Sequence, residues 1–125
     1  MIQISFDKVI PSRNQLEYCS KMKKVRIKEW WQENTVSRLV DYGVHSMYLV
    51  VLIKVYFKTK RARDIDNYMS SIAVKGIIDG IVQIGIIPDD NAEYLNYSVD
   101  LLIDKENPRT EVILYGSKEN NEYYR

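Results

Sequence analysis

Between Met47 and Phe57 every second residue is apolar: Met47, Leu49, Val51, Ile53, Val55 and Phe57. The positions between them begin with Tyr48, Val50 and Leu52 and continue with Lys54, Tyr56 and Lys58. This alternation predicts a strand with one face on a core and the other partly exposed. Tyr94 to Asp104 repeats the pattern, with Leu95, Tyr97, Val99, Leu101 and Ile103 set against Asn96, Ser98, Asp100 and Asp104. The turn residues Glu106-Asn107-Pro108 then lead to a further strand over Thr110 to Tyr115, so these two segments read as a hairpin. Ile2, Ile4 and Phe6 alternate with Gln3 and Ser5 as a short first strand, and Asp7 to Asn14, with Pro11 and Ser12, should be a loop.

Two regions carry helical signals. From Gln15 to Asp41 the composition favours helix, with Leu16, Met22, Val25, Trp30, Leu39 and Val40 available for the buried side. A break near Asn34-Thr35 would divide it into two helices, and Gly43 suits the stop. A second helix is expected from about Asn67 to Ile84, because Ile77, Ile78, Ile81 and Ile84 recur at helical spacing. Asp66 or Asn67 suits its N-cap and Gly85 its C-terminal stop. Gly76 and Gly80 inside it each cost about 1 kcal/mol relative to alanine. They imply that another backbone approaches closely, across a dimer or against the sheet.

The combined expectation is one domain over residues 1–125 of the α+β class, a small, mostly antiparallel or mixed four-stranded sheet packed by helices. Residues 116–125 are polar and expected to fray, with Tyr123 and Tyr124 able to dock on a partner.

At 46% apolar and 28% charged residues, the composition is that of a globular protein rather than a disordered one. The longest apolar run, Met47 to Ile53, is too short to span a bilayer, and the first residues lack the basic start and apolar middle of a signal peptide. A cytoplasmic protein is expected. Cys19 is the sole cysteine, so an intrachain disulfide and a cysteine-based zinc site are excluded. His45 is likewise alone, and a structural or surface role is expected for it.

Net charge is only +1, but its distribution is uneven. Residues 1–63 hold 13 Lys and Arg against 5 Asp and Glu, whereas residues 64–125 hold 5 against 12. The basic half can supply a phosphate-binding field and the acidic half metal ligands, or the halves simply attract each other. Lys21, Lys24 and Lys28 share one helical face with Lys23 and Arg26 nearby, which is either a solvated stripe or a nucleic-acid contact.

The junction of the halves reads Lys60-Arg61-Ala62-Arg63-Asp64-Ile65-Asp66-Asn67, and a second acidic pair follows in Ile87-Pro88-Asp89-Asp90-Asn91. If Arg63 to Asn67 is extended, Asp64 and Asp66 point to the same side. Such a pair beside other acids repels itself unless a cation is bound, and oxygen-only ligands favour a hard ion, Mg²⁺ or Mn²⁺. The competing reading makes Asp66 a helix cap and Pro88 to Asn91 a turn.

Arg61-Ala62-Arg63-Asp64-Ile65-Asp66-Asn67, Lys75-Gly76-Ile77-Ile78-Asp79-Gly80 and Gly85-Ile86-Ile87-Pro88-Asp89-Asp90 together resemble the RusA family of Holliday-junction resolvases. That family has an Asp-x-Asp-Asn motif, a Lys and an Asp on the following helix, and a hydrophobic turn ending in Asp-Asp; Pro11-Ser12-Arg13-Asn14 is similar to its amino-terminal loop. The chain departs from the family in a longer segment between Asn67 and Lys75. The resemblance implies that Asp64, Asp66 and Asp90 are metal-binding catalytic acids with Asp89 a near neighbour. It makes Lys75 a catalytic cation that steadies phosphate charge, and Lys58, Lys60, Arg61 and Arg63 contacts to the DNA backbone. Function would be Mg²⁺-dependent resolution of four-way junctions by paired nicks, with Mn²⁺ a substitute and a homodimer supplying the second site. Other branched DNA, such as forks or flaps, is an alternative substrate, and a non-cleaving branched-DNA-binding protein is an alternative of another class.

Overall fold

The computed structural model describes residues 1–118. Its four strands are β1 (Ile2–Phe6), β2 (Tyr48–Phe57), β3 (Leu95–Ile103) and β4 (Arg109–Ser117). They form one sheet in the order β1-β4-β2-β3, antiparallel at the first two junctions and parallel between β2 and β3. The α+β expectation with a mixed four-stranded sheet holds. Register sets Ile4, Val112, Ile53 and Val99 in one row across the sheet, and Phe6, Thr110, Val55 and Leu101 in another on the same face. Phe6, Ile53, Val55 and Val112 are fully buried there. The row between, Ser5, Glu111, Lys54 and Asp100, is polar and faces the other way.

The expected hairpin of the last two strands does not form, because β3 and β4 lie on opposite sides of β2. A helical crossover separates β2 from β3 and makes that pair parallel. The following turn is then tied to the end of β2, where Asp104 N–H donates to the Phe57 carbonyl at 2.9 Å. Arg109 holds the Asp104 carboxylate at 2.7 Å, and the chain passes over β2 to its free edge. The last strand extends through Gly116 and Ser117, into the segment expected to fray; Tyr123 and Tyr124 lie outside the described residues.

The first helical region is one helix, α1 (Lys21–Leu39), flanked by 3-10 turns at Asn14–Leu16 and Val40–Tyr42. The expected break at Asn34-Thr35 is absent. Asn34 Nδ2 donates to the Trp30 carbonyl at 2.8 Å and Thr35 Oγ1 to the Trp31 carbonyl at 2.7 Å, so both side chains bond back along the helix instead of interrupting it. Trp31, Thr35 and Leu39, four apart, form the buried stripe; Met22, Val25 and Val40, expected inside, are exposed. Phe6 packs against both Trp30 and Trp31 and fixes α1 to the sheet.

The second helical region is also different from the expectation. It divides into α2 (Ile65–Met69) and α3 (Ile72–Gln83). Ser71 is extended and caps α3, its Oγ accepting from Ala73 N–H at 3.2 Å while donating to the Pro11 carbonyl at 2.6 Å. Ala73, Val74, Ile77, Ile78 and Ile81 bury the core side of α3. Gly76 and Gly80 face α1: a Cβ on Gly76 would lie 2.5 Å from the Lys28 carbonyl oxygen, and one on Gly80 2.9 Å from that of Gln32. The close approach expected across a dimer or against the sheet is instead against α1, between two helices of one chain. Gly43 and Gly85 stop their helices at φ 60° and 79°, the left-handed region that glycine enters freely. His45 Nδ1 lies 2.8 Å from the Gly85 carbonyl oxygen, in keeping with a structural role. No helix among the described residues is long and apolar enough to cross a membrane.

Candidate functional site

The loop after β2 brings the basic and acidic residues together. Lys58, Lys60 and Arg61 are exposed. Arg63 is not displayed in the same way: its guanidinium lies over the Phe57 ring at 3.8 Å and donates to the Thr59 carbonyl at 3.0 Å. Tyr68 packs edge-on against the same ring, 5.3 Å between centroids. Phe57 thus anchors both ends of the segment that carries the aspartates.

Asp64 is extended and occupies the N-cap position of α2, without a side-chain cap bond. Asp66 already lies in the first helical turn, and Asn67 N–H donates to the Asp64 carbonyl at 3.2 Å. The extended geometry considered for Arg63 to Asn67 therefore ends at Asp64, and strand alternation does not set the direction of Asp66. The expected cap, Asp66 or Asn67, is displaced by this earlier helix start.

Asn67 has another task, which sequence reasoning missed. Its backbone carbonyl accepts from Arg13 N–H at 2.8 Å and its Oδ1 from Asn14 N–H at 3.0 Å. With the Ser71–Pro11 bond, this pins the Pro11-Ser12-Arg13-Asn14 loop to α2. The two motifs are far apart in sequence, so only their shared hydrogen-bonding capacity hinted at the contact.

The second acidic pair divides its labour. Asp89 closes its own turn, accepting from Asp90 N–H at 2.8 Å and from Asn91 Nδ2 at 3.2 Å; these bonds, the backbone one first, hold its carboxyl below the usual carboxylate range. Asp90 instead faces Lys75, 3.6 Å from its ammonium. Lys75 also reaches Asp79 at 3.2 Å, and Asp79 is held from α1 by Lys28 at 2.7 Å. Charges of alternating sign therefore run Lys28, Asp79, Lys75, Asp90. The hydrogen bond to Asp79, opposed by slight burial and aided by the charge of Asp90, raises the Lys75 pKa above its ordinary value. For Asp79, burial alone would push the carboxyl up, but the bonds from Lys28 and then Lys75 outweigh it and hold it low. The Lys75–Asp79 pair is legible from its helical spacing, whereas Lys28 was legible only as one member of a basic stripe.

Lys75 and Asp90 border a cleft of about 290 Å³ with Ser70, Ile78, Leu95 and Tyr97. Asp64 and Asp66 do not line it, although the Asp66 carbonyl accepts from Ser70 N–H at 3.0 Å and from Ser70 Oγ at 2.6 Å. Among the described residues, no three His, Cys, Asp or Glu side chains converge as ligands of one metal ion. The donor set nonetheless suits Mg²⁺ or Mn²⁺ chemically. Mg²⁺ keeps several waters and takes only one or two protein carboxylates, which Asp64, Asp66 and Asp90 can provide from exposed positions.

No protein-family model matches the chain, and no curated protein is similar to it in sequence.

Proposed function

We propose that this chain is a metal-dependent, structure-specific endodeoxyribonuclease that resolves four-way DNA junctions, as its resemblance to the RusA family implies. The observation that carries the reading is the meeting of Lys75 with Asp90 at 3.6 Å, which joins two separate motifs of that resemblance at one cleft. By that resemblance a divalent ion would be held by one or two of Asp64, Asp66 and Asp90, and would supply the charge that polarises the phosphoryl group and activates a water. Lys75 contributes a positive charge, held between Asp79 at 3.2 Å and Asp90 at 3.6 Å, suited to offsetting charge on the phosphoryl oxygens. Asp79, braced by Lys28, holds that ammonium beside Asp90. Lys58, Lys60 and Arg61 are exposed and free to meet the phosphate backbone, while Arg63 contributes through the loop it stiffens over Phe57. Two symmetric nicks require two sites, which a two-fold homodimer supplies. The reading places the protein in the cytoplasm with its substrate.

The test is cleavage of a labelled synthetic four-way junction beside a linear duplex of the same sequence, with Mg²⁺ or with chelator. Paired, metal-dependent nicks confined to the junction are expected. Equal cutting of forks or flaps would widen the substrate to branched DNA, and tight junction binding without nicks in Mg²⁺ or Mn²⁺ would replace the nuclease by a binding protein.

A further inference from the structure

A second cleft, about 420 Å³, lies between the Pro11-to-Leu16 segment, α1 and the break between α2 and α3. Leu16 and Ile72 give it an apolar surface, Arg13 and Lys24 are its cations, and Glu17 its one acid. Its wall is prearranged. Asn67 accepts from two backbone amides of the loop, and within the loop Ser12 N–H donates to Gln15 Oε1 at 2.7 Å while Gln15 N–H donates to Ser12 Oγ at 3.2 Å. Lys24 donates from its ammonium to the Glu17 carbonyl at 3.4 Å. Among the described residues, no hydrogen bond or ion pair engages the Arg13 guanidinium. Ser70 lines both this cleft and the one holding Lys75 and Asp90, so the two adjoin.

An apolar surface with two cations at its rim, within the size range of small-ligand sites, matches the chemistry of one nucleotide: a planar base and an anionic phosphate. We propose that this cleft binds a single unstacked nucleotide of a DNA strand, next to the phosphate presented to Lys75 and Asp90. The base lies on Leu16 and Ile72, and its phosphate meets Arg13 and Lys24. A base leaves the stack most cheaply where pairing is already interrupted, so such a subsite favours a branch point over intact duplex. The proposal rests on the nuclease reading for its role but not for its binding event.

The test is a titration of isotopically labelled protein with a short single-stranded oligodeoxynucleotide, followed by amide chemical shifts. Saturable shifts centred on Asn14, Glu17, Ser70 and Ile72 are expected. Arg13→Ala with Lys24→Ala, the first exposed and the second half-buried, should weaken binding roughly tenfold, whereas Glu17→Gln should tighten it severalfold by removing the like charge, a gain that a merely structural role would not produce. Absence of binding, shifts confined to other surfaces, or indifference to all three substitutions overturns the proposal. Binding here without any junction cleavage would leave the subsite standing and remove the nuclease reading; junction cleavage without shifts here would do the reverse.

Discussion

Replacing Gly76 by alanine should destabilise this protein, although the same change in an exposed helix gains about 1 kcal/mol. The new Cβ would lie 2.5 Å from the Lys28 carbonyl oxygen, 3.1 Å from Trp31 Cβ and 3.2 Å from Gln32 N. Two of these atoms are backbone and the third is fixed to it, so no rotamer change relieves the contact, and α1 and α3 must move apart. Overpacking of this kind costs roughly 1–3 kcal/mol. The upper end applies here, and after the propensity gain a net loss of about 2 kcal/mol remains. For a domain of this size that lowers Tm by roughly 5–10 °C, measurable by circular dichroism. Urea unfolding should show a lower midpoint at unchanged slope. Gly80→Ala should cost less, since its nearest contact, to the Gln32 carbonyl oxygen, is 2.9 Å rather than 2.5 Å. An unchanged or raised Tm for Gly76→Ala, or a larger loss for Gly80→Ala, would refute the packing argument. The separation also carries Lys28 away from Asp79, so junction cleavage should fall in the Gly76 variant well below its Tm.

Asp66→Asn should abolish metal-dependent cleavage while changing stability by no more than about 0.5 kcal/mol, because the exposed carboxylate is replaced by a near-isosteric amide; loss of the folded circular-dichroism spectrum would make Asp66 structural instead. Lys75→Ala should slow cleavage severely and leave Tm nearly unchanged, since the lysine is 59% exposed and its ion pairs are screened; an unaffected rate would transfer its role to another lysine. Asp79 has a folded pKa held low, so the stability it contributes is present above the unfolded carboxylate value of about 3.9 and is lost as pH falls through the folded value. Asp79→Asn should therefore lower the urea midpoint at pH 7 and progressively less as pH falls below about 3.9, and a deficit that does not shrink with acidification would show that the carboxylate charge is not what matters.

Sequence alone determined what local chemistry can encode. The alternation from Leu49 to Phe57 fixed both the strand and its buried side, because a core below the sheet demands one apolar face, whereas Met47, expected on that face, precedes the strand and is exposed. The positive φ required at Gly43 and Gly85, the close approach at Gly76 and Gly80, and the Lys75–Asp79 pairing are likewise consequences of single residues and helical period. What the tertiary structure decided were choices between partners that are locally equivalent. Alternation specifies a strand's face but not its neighbour, so β4 could lie beside β2 instead of beside β3. Thr35 reads as a breaker until its hydroxyl is seen bonded back along a buried helix face, and Ser71 reads as helix interior until Pro11 and Ala73 claim it. The candidate site divides in the same way. Its aspartates and lysine are named by the sequence, but the meeting of Lys75 with Asp90, the bracing of Asp79 by Lys28 and the grip of Asn67 on the amino-terminal loop are long-range contacts, made only when the core brings those elements together.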